Sequence, residues 1–209
     1  MEQQASDPGS DAHAPPRFLF VGGDVSIDFV NTQMIESGRE VDRISTPQEL
    51  AAWVAASNLG TEFGVPTDIA STIYTQAIPL RGALRACYNA LIDEQPIPSP
   101  ALKSLNAVLA SAPGTEVRRL STQALHHAPR VDLAKDASHL PWLLADAGAQ
   151  LLCSDRTTSL RRCANREHCM LIFLDTSRSH TRRWCSMDLC GNRRKVAAHN
   201  ARARRRQTR

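Results

Sequence analysis

Four cysteines near the C-terminus constrain this chain more than any other feature, because they form two close pairs. Five residues lie between Cys163 and Cys169, and four lie between Cys185 and Cys190. Fifteen residues separate the pairs, which is enough for a turn that brings two short loops around a tetrahedral Zn²⁺. Four cysteine ligands leave no open coordination position, so the spacing predicts one structural zinc ion.

Charge is distributed unevenly along the chain. Residues 1–155 carry 10 Lys and Arg against 18 Asp and Glu, whereas residues 156–209 carry 15 against three. An acidic body joined to a strongly basic end is typical of a protein whose basic end binds a polyanion. A membrane surface is disfavoured as that polyanion, because the basic segment has no apolar helix face and no lipidation motif.

A basic helix is predicted after Cys190, from about Asn192 to Arg206. Seven cations occur within its last fourteen residues with no acid among them, and on a helix they would fall within an arc of about 220°. DNA phosphates would relieve the repulsion between these cations. The predicted DNA contacts are Arg193, Arg194, Lys195, Arg202, Arg204, Arg205 and Arg206.

The pattern of apolar residues indicates a mainly α protein with a few short strands. Residues 1–16 have little to bury and are predicted to be a disordered arm. We expect a helical N-terminal domain over residues 17–153. Residues 154–209 should form a small, treble-like zinc finger that ends in the basic helix.

Helices are predicted where apolar residues recur every three or four positions between capping and breaking residues. They cover residues 46–57, about 67–93 with a bend at Pro79, about 102–109, and 140–152, with a short one after Ser154. Alternation predicts strands at 25–29 and within 115–133, and the apolar run 170–174 predicts another strand, packed under the metal site. His126 and His127 are interpreted as surface or loop residues and not as a metal or catalytic site. Neighbours on a strand point to opposite faces, and no convergent Asp, Glu or Cys motif accompanies them.

The sequence contains no transmembrane or secretory segment, so we expect a cytoplasmic, nucleoid-associated protein. Reducing conditions there favour metal binding over disulfides for the four clustered cysteines. The other two cysteines, Cys87 and Cys153, lie in apolar helical patterns and are predicted to be buried core residues.

Several motifs of the basic end resemble the CGNR zinc-finger family of bacterial proteins. They are Arg162-Cys163-Ala164-Asn165, Phe173-Leu-Asp175-Thr-Ser-Arg178, Arg183-Trp184-Cys185-Ser-Met187 and Cys190-Gly-Asn-Arg193. Upstream, Gly23-Asp-Val-Ser-Ile-Asp28-Phe-Val-Asn31-Thr32 and Leu80-Arg81 resemble the ABATE domain, which accompanies this finger in stress-induced transcription regulators.

This resemblance spans nearly all of residues 18–200, and implies a mostly helical ligand-binding domain followed by a zinc-dependent DNA-binding end. It also implies that Asp28, Asn31 and Arg81 form a polar set for a small-molecule effector, with Trp53 as an apolar wall. A structural role stays open for the same residues. In that case Asp28 and Asn31 hold a turn, and Arg81 is their buried ion-pair partner.

One departure from the family concerns the second zinc ligand. The family spaces its first cysteine pair by four residues, which, counted forward from Cys163, selects His168. Counting back from Phe173 selects Cys169 instead. We keep Cys169 as the predicted ligand, with His168 as the alternative.

Together these features favour a zinc-dependent DNA-binding transcription regulator with a sensing N-terminal domain. An RNA-binding zinc protein is the main alternative, although Phe173 and Trp184, the aromatics of the basic end, are better explained as core residues. A hydrolytic enzyme is disfavoured, because no nucleophile elbow, phosphate loop or carboxylate–histidine set is visible. The effector, the target sequence and the oligomeric state, including a homodimer, stay open.

Overall fold

The computed structural model describes residues 17–119, 122 and 124–192, and helices supply most of the core in this part of the chain. The helices are α1 (Val25–Val30), α2 (Pro47–Ala56), α3 (Asn58–Phe63), α4 (Ser71–Ile92), α5 (Ser99–Leu109) and α6 (Leu140–Leu152). The strands form antiparallel hairpins, which are β1 (Gln33–Glu36) with β2 (Arg39–Asp42), β3 (Thr115–Arg119) with β4 (Leu125–Pro129), and β5 (Leu160–Arg162) with β6 (Ile172–Leu174). This confirms the predicted fold class.

Helix α4 is the central element, and α1, α5 and α6 all pack against it. Its residues Leu80, Leu84 and Tyr88 recur every four positions and are buried. At the contact with α6, a Cβ added to Gly148 would lie 2.4 Å from Leu84 Cδ2. The two helices can therefore approach this closely because residue 148 has no side chain.

Helix α2 begins as its sequence predicts. Thr46 adopts an extended conformation and its hydroxyl accepts a hydrogen bond from Glu49 N at 3.2 Å, with Pro47 at the first helical position. The helix ends at Ala56, within one residue of its predicted end, and α3 begins at Asn58. Ser57 serves as the boundary residue of both helices, because its extended backbone ends one and starts the other.

The strand predicted at residues 25–29 is wrong, because this segment is the helix α1. Asp24 caps it by accepting a hydrogen bond from Ser26 N at 3.1 Å. Residues 26–30 are all buried. The alternation of apolar and polar residues is therefore not that of a half-exposed strand, since buried hydrogen bonds satisfy Ser26 and Asp28.

Other local predictions have mixed outcomes. Cys87 is buried, whereas Cys153 is exposed because it lies at the C-terminal end of α6. The short helix expected after Ser154 is a 3-10 turn, Asp155–Ser159. His126 and His127 are both exposed. No helix within the described ranges is long and apolar enough to span a bilayer, and the predicted arm over residues 1–16 lies outside those ranges.

Candidate metal centre

The four clustered cysteines converge on one buried point. Their sulfur atoms all lie within 4.8 Å of one another, and Cys185 Sγ lies 3.7 Å from both Cys169 Sγ and Cys190 Sγ. A tetrahedral zinc ion with Zn–S bonds of about 2.3 Å requires sulfur atoms about 3.8 Å apart. The donor set therefore fits one zinc ion.

Two loops position these thiols. Cys163 follows β5 and its N–H donates to Leu171 O at 3.0 Å, so the turn between β5 and β6 places Cys163 and Cys169 together. The second loop brings Cys185 next to a single π-helical turn, Met187–Gly191, which contains Cys190. Ser186 caps this turn by accepting from Asp188 N at 3.2 Å. Ala164 N donates to Arg183 O at 2.8 Å and ties the two loops together.

Polar groups around the sulfur atoms suit a metal–thiolate site. The Asn165 side chain is buried, and its Nδ2 lies 3.8 Å from Cys190 Sγ, to which it donates. The Arg182 guanidinium donates to the carbonyl oxygens of Trp184, at 3.0 Å, and of Cys185. Four thiolates would give a zinc site a formal charge of −2, and these donors offset part of that charge.

The thiols cannot all ionise at neutral pH without a cation. Hydrogen bonds from the Cys169 and Cys185 thiols lower the pKa of Cys163, whereas the hydrogen bonds with Cys163 and Cys169 raise the pKa of Cys185. Zinc changes this balance, because a bound divalent cation stabilises each thiolate at once. The chemistry of the donor set is thus that of a structural metal site.

His168, the alternative ligand, is exposed and lies outside the group of four sulfur atoms. Its N–H donates to Asn165 O at 2.9 Å, in the turn that directs the next side chain, Cys169, inward. The five-residue spacing is accommodated by this turn. The seven predicted DNA-contact residues, from Arg193 to Arg206, lie outside the described residues.

Asn31, from the polar set implied by the resemblance, connects α1 to the metal centre. Its Nδ2 donates to Ile172 O at 2.8 Å, and its Oδ1 accepts from Ile172 N at 2.9 Å. On the same edge of β6, Leu174 N donates to Gly22 O at 2.8 Å. The amide of Asn31 therefore takes the place of a neighbouring strand beside β6.

Asp28 has a different role from Asn31. Its Oδ1 accepts a hydrogen bond from Gly22 N at 2.7 Å, so the carboxylate holds the turn before α1. Burial raises the pKa of Asp28 to about 7, because desolvation outweighs the hydrogen bonds from Gly22 and Val21. A cavity lined by Asp28, Asp24 and Phe20 lies beside this turn.

Arg81 is a buried ion-pair partner, as the structural interpretation proposed, but its acid is Asp42 and not Asp28. Its Nη1 donates to Asp42 Oδ1 and to Thr32 Oγ1, both at 2.8 Å. Burial alone would raise the pKa of Asp42, but the hydrogen bonds from Arg81, the hydrogen bond from Ile44 N and the charge of Arg81 together hold that pKa below its usual range. Trp53 is fully buried, with its ring 5.5 Å from that of Phe29.

No sequence pattern indicates that N-terminal residues complete the metal centre. Leu19, Val21 and the buried Met34 pack against the apolar cluster that contains the four cysteines, Leu171 and Phe173. Arg85 of α4 also donates to Met170 O at 3.3 Å and to Gln33 O at 3.0 Å. Residues 18–21 are an apolar run in the sequence, but no local pattern shows what packs against it.

Ion pairs link the same two parts of the chain. The Arg162 guanidinium of β5 donates to both carboxylate oxygens of Asp93, at 3.1 and 2.9 Å, just after α4. Arg156 donates to Asp24 Oδ2 at 2.8 Å. Buried residues of the β5–β6 hairpin also belong to the main core. The metal centre therefore packs directly against the helical part and is not a separate unit attached by a linker.

Comparison with known families accounts for both parts of the chain. The ABATE family model, described as "Putative stress-induced transcription regulator", matches residues 23–155, and the CGNR zinc finger model matches residues 159–203. A search of curated proteins gives no match. The two models occur in the predicted order and confirm the resemblance. Because the first match covers more than half of its length, the chain belongs to the ABATE family and carries a CGNR zinc finger after its ABATE domain.

Proposed function

We propose that this protein is a zinc-dependent DNA-binding transcription regulator whose N-terminal domain senses a small ligand or a stress signal. One observation carries this proposal, which is the buried four-cysteine site directly before a segment rich in arginine. The family descriptions, a transcription regulator and a zinc finger, support it. It would act on chromosomal DNA in the cytoplasm.

In this proposal, the zinc ion is structural. Cys190 would be its last ligand, and only Gly191 and Asn192 separate it from the first of the seven cations at residue 193. Metal binding would therefore fix the beginning of the basic segment relative to the protein core. Arg193 and Arg194 lie nearest this fixed point and are the better candidates for base contacts, while the cations at 202–206 would contact phosphates.

The contacts between the two domains would let the N-terminal domain act on the finger. Asn31 and Gly22 bind the outer edge of β6, and β6 leads out of the loop that contains Cys169. Suppose that this joint has two arrangements and that they differ in DNA affinity. A ligand that binds one arrangement more tightly would then change the DNA affinity, and the coupling free energy is typically about 1–3 kcal/mol. Asp28 lines the cavity beside the same joint.

Catalysis is not proposed for the metal site, because four cysteine ligands leave no position for an activated water. An RNA-binding role is the second candidate. RNA recognition commonly uses exposed aromatic rings, but Phe173 is fully buried and Trp184 is half-buried against the metal centre. These two placements favour DNA.

The test is footprinting of the zinc-loaded, full-length protein on fragments of its source genome. Protection of discrete sites is expected, and a palindromic site would indicate a homodimer. The triple variant Arg204→Ala/Arg205→Ala/Arg206→Ala should reduce the slope of log K against log salt by up to about 3. Failure of the wild-type protein to bind any duplex, or preferential binding of RNA of the same sequence, would refute the proposal.

A further inference from the structure

The loop between β6 and Cys185, residues 175–183, is held rigidly at both ends. Asp175 is fully buried, and its Oδ1 accepts from Ser177 N at 3.0 Å while its Oδ2 accepts from Arg182 N at 2.9 Å. Asp175 N also donates to Ser159 O at 2.8 Å. One carboxylate thus fixes the two ends of the loop. We call residues 175–183 the arginine loop.

The arginine loop contains two kinds of arginine. Arg182 faces inward, where its guanidinium donates to backbone oxygens and lies 4.3 Å from the centroid of the Phe173 ring. Arg178 and Arg183 are exposed. Arg178 has no ion-pair or hydrogen-bond partner in the described part of the chain, and Arg183 lies 5.3 Å from the centroid of the Trp184 ring.

The exposed charge of this loop is not balanced by acids. Asp175 is its single acidic residue, and both of its oxygens accept hydrogen bonds inside the loop. By contrast, the finger arginines that face the helical part are paired, Arg156 with Asp24 and Arg162 with Asp93. Arg178 and Arg183 thus have no acidic partner among the described residues, and both are exposed to an anionic partner.

Hydroxyl groups accompany the two cations. Ser179 and Thr181 are exposed, and they flank His180, whose φ of 50° lies in the left-handed region. Their hydroxyl oxygens lie 2.8 Å apart and share a hydrogen bond. Arginine forks and hydroxyl donors are the groups that most often bind phosphate oxygens in protein–DNA complexes. A rigid loop also loses little conformational entropy when it binds.

We propose that the arginine loop binds phosphates of the DNA backbone through Arg178 and Arg183, in addition to the contacts of the basic C-terminal segment. This inference rests on the proposed DNA-binding function. The hydrogen bond from Ala164 N to Arg183 O attaches the loop to the metal centre, so a bound zinc ion would hold the loop in a fixed position relative to Cys190. Such contacts orient the protein on the duplex and carry no base specificity.

The test compares full-length, zinc-loaded protein with the variant Arg178→Gln/Arg183→Gln on one duplex over a range of salt concentrations. Each lost phosphate contact reduces the slope of log K against log salt by about 0.9, so a reduction of about 2 is expected for the double variant. Affinity should fall similarly for specific and random duplexes. Lys103→Gln/Arg130→Gln removes two exposed cations from the helical part and should leave the slope unchanged.

Zinc content and thermal unfolding identify a misfolded variant. Should the double variant lose zinc, Arg178→Gln alone keeps the test valid, because the Arg178 side chain has no hydrogen-bond or ion-pair partner in the described part of the chain. It should reduce the slope by about 0.9. An unchanged slope in a zinc-loaded loop variant overturns this inference, while wild-type binding to DNA leaves the proposed function standing. A loss of affinity for one DNA sequence alone also overturns this inference, because the loop would then contact bases. A wild-type protein that binds no DNA refutes both.

Discussion

Replacing Asn31 with alanine is expected to destabilise the protein strongly, because the Asn31 side chain completes the edge of β6. The substitution removes the partners of Ile172 N–H and Ile172 C=O at once. Asn31 and Ile172 are both at least 98% buried, so water cannot replace the amide without local opening. Each buried backbone group left without a partner costs about 1–3 kcal/mol, which gives about 2–6 kcal/mol in total.

Urea denaturation of zinc-loaded Asn31→Ala should show this loss as a lower midpoint with an unchanged slope. The melting temperature should fall by on the order of 10 °C for a chain of this size. Zinc affinity, measured by competition with a chelator, should fall as well, because the turn that presents Cys169 leads directly into β6.

Two further variants make this prediction specific. Asn106→Ala lies on the exposed side of α5 and should change the free energy of unfolding by less than about 0.5 kcal/mol. Asn31→Asp keeps the acceptor for Ile172 N–H but places a carboxylate oxygen against Ile172 C=O, so it should not restore stability. Equal stabilities of Asn31→Ala and Asn106→Ala would refute the idea that the amide replaces a strand.

The remaining predictions concern the metal, a buried acid and a helix crossing. Metal analysis should find one zinc ion per chain, lost in Cys169→Ser and kept in His168→Ala; the reverse pattern would reassign the ligand. The folded pKa of Asp28, about 7, lies above its unfolded value, so wild-type stability should fall as the pH rises from about 4 to 7. Asp28→Asn should lack this pH dependence. Over the same pH range, its unfolding free energy should therefore rise relative to that of the wild type, by at most about 4 kcal/mol. A pH-independent difference in unfolding free energy would contradict this. Gly148→Ala should lower the unfolding free energy by about 1–3 kcal/mol in urea denaturation, because its Cβ would overlap Leu84, and an unchanged midpoint would count against that packing.

Local sequence signals predicted the helices well where capping residues act on their own neighbours. Thr46 and Pro47 start α2 through groups within three residues along the chain. The same reasoning failed at α1, although Asp24 offered a cap two residues before Ser26. There the alternation of apolar and polar residues gave a strand period, because Ser26 and Asp28 are polar and yet buried.

By itself, the sequence determined three of the metal donors, Cys163, Cys185 and Cys190, since cysteine type and spacing select a tetrahedral thiolate site. Between Cys169 and His168 the tertiary structure decided, because only the Cys169 sulfur lies with the other three. Tertiary structure alone decided what surrounds that site. Asn31 forms hydrogen bonds with Ile172, which is 141 positions away in the sequence, and Arg81 forms them with Asp42, which is 39 positions away. No local pattern encodes such pairs, because they depend on how the helices pack. Packing also makes Leu19 and Met34 part of the metal centre's core, which joins the zinc finger to the helical domain.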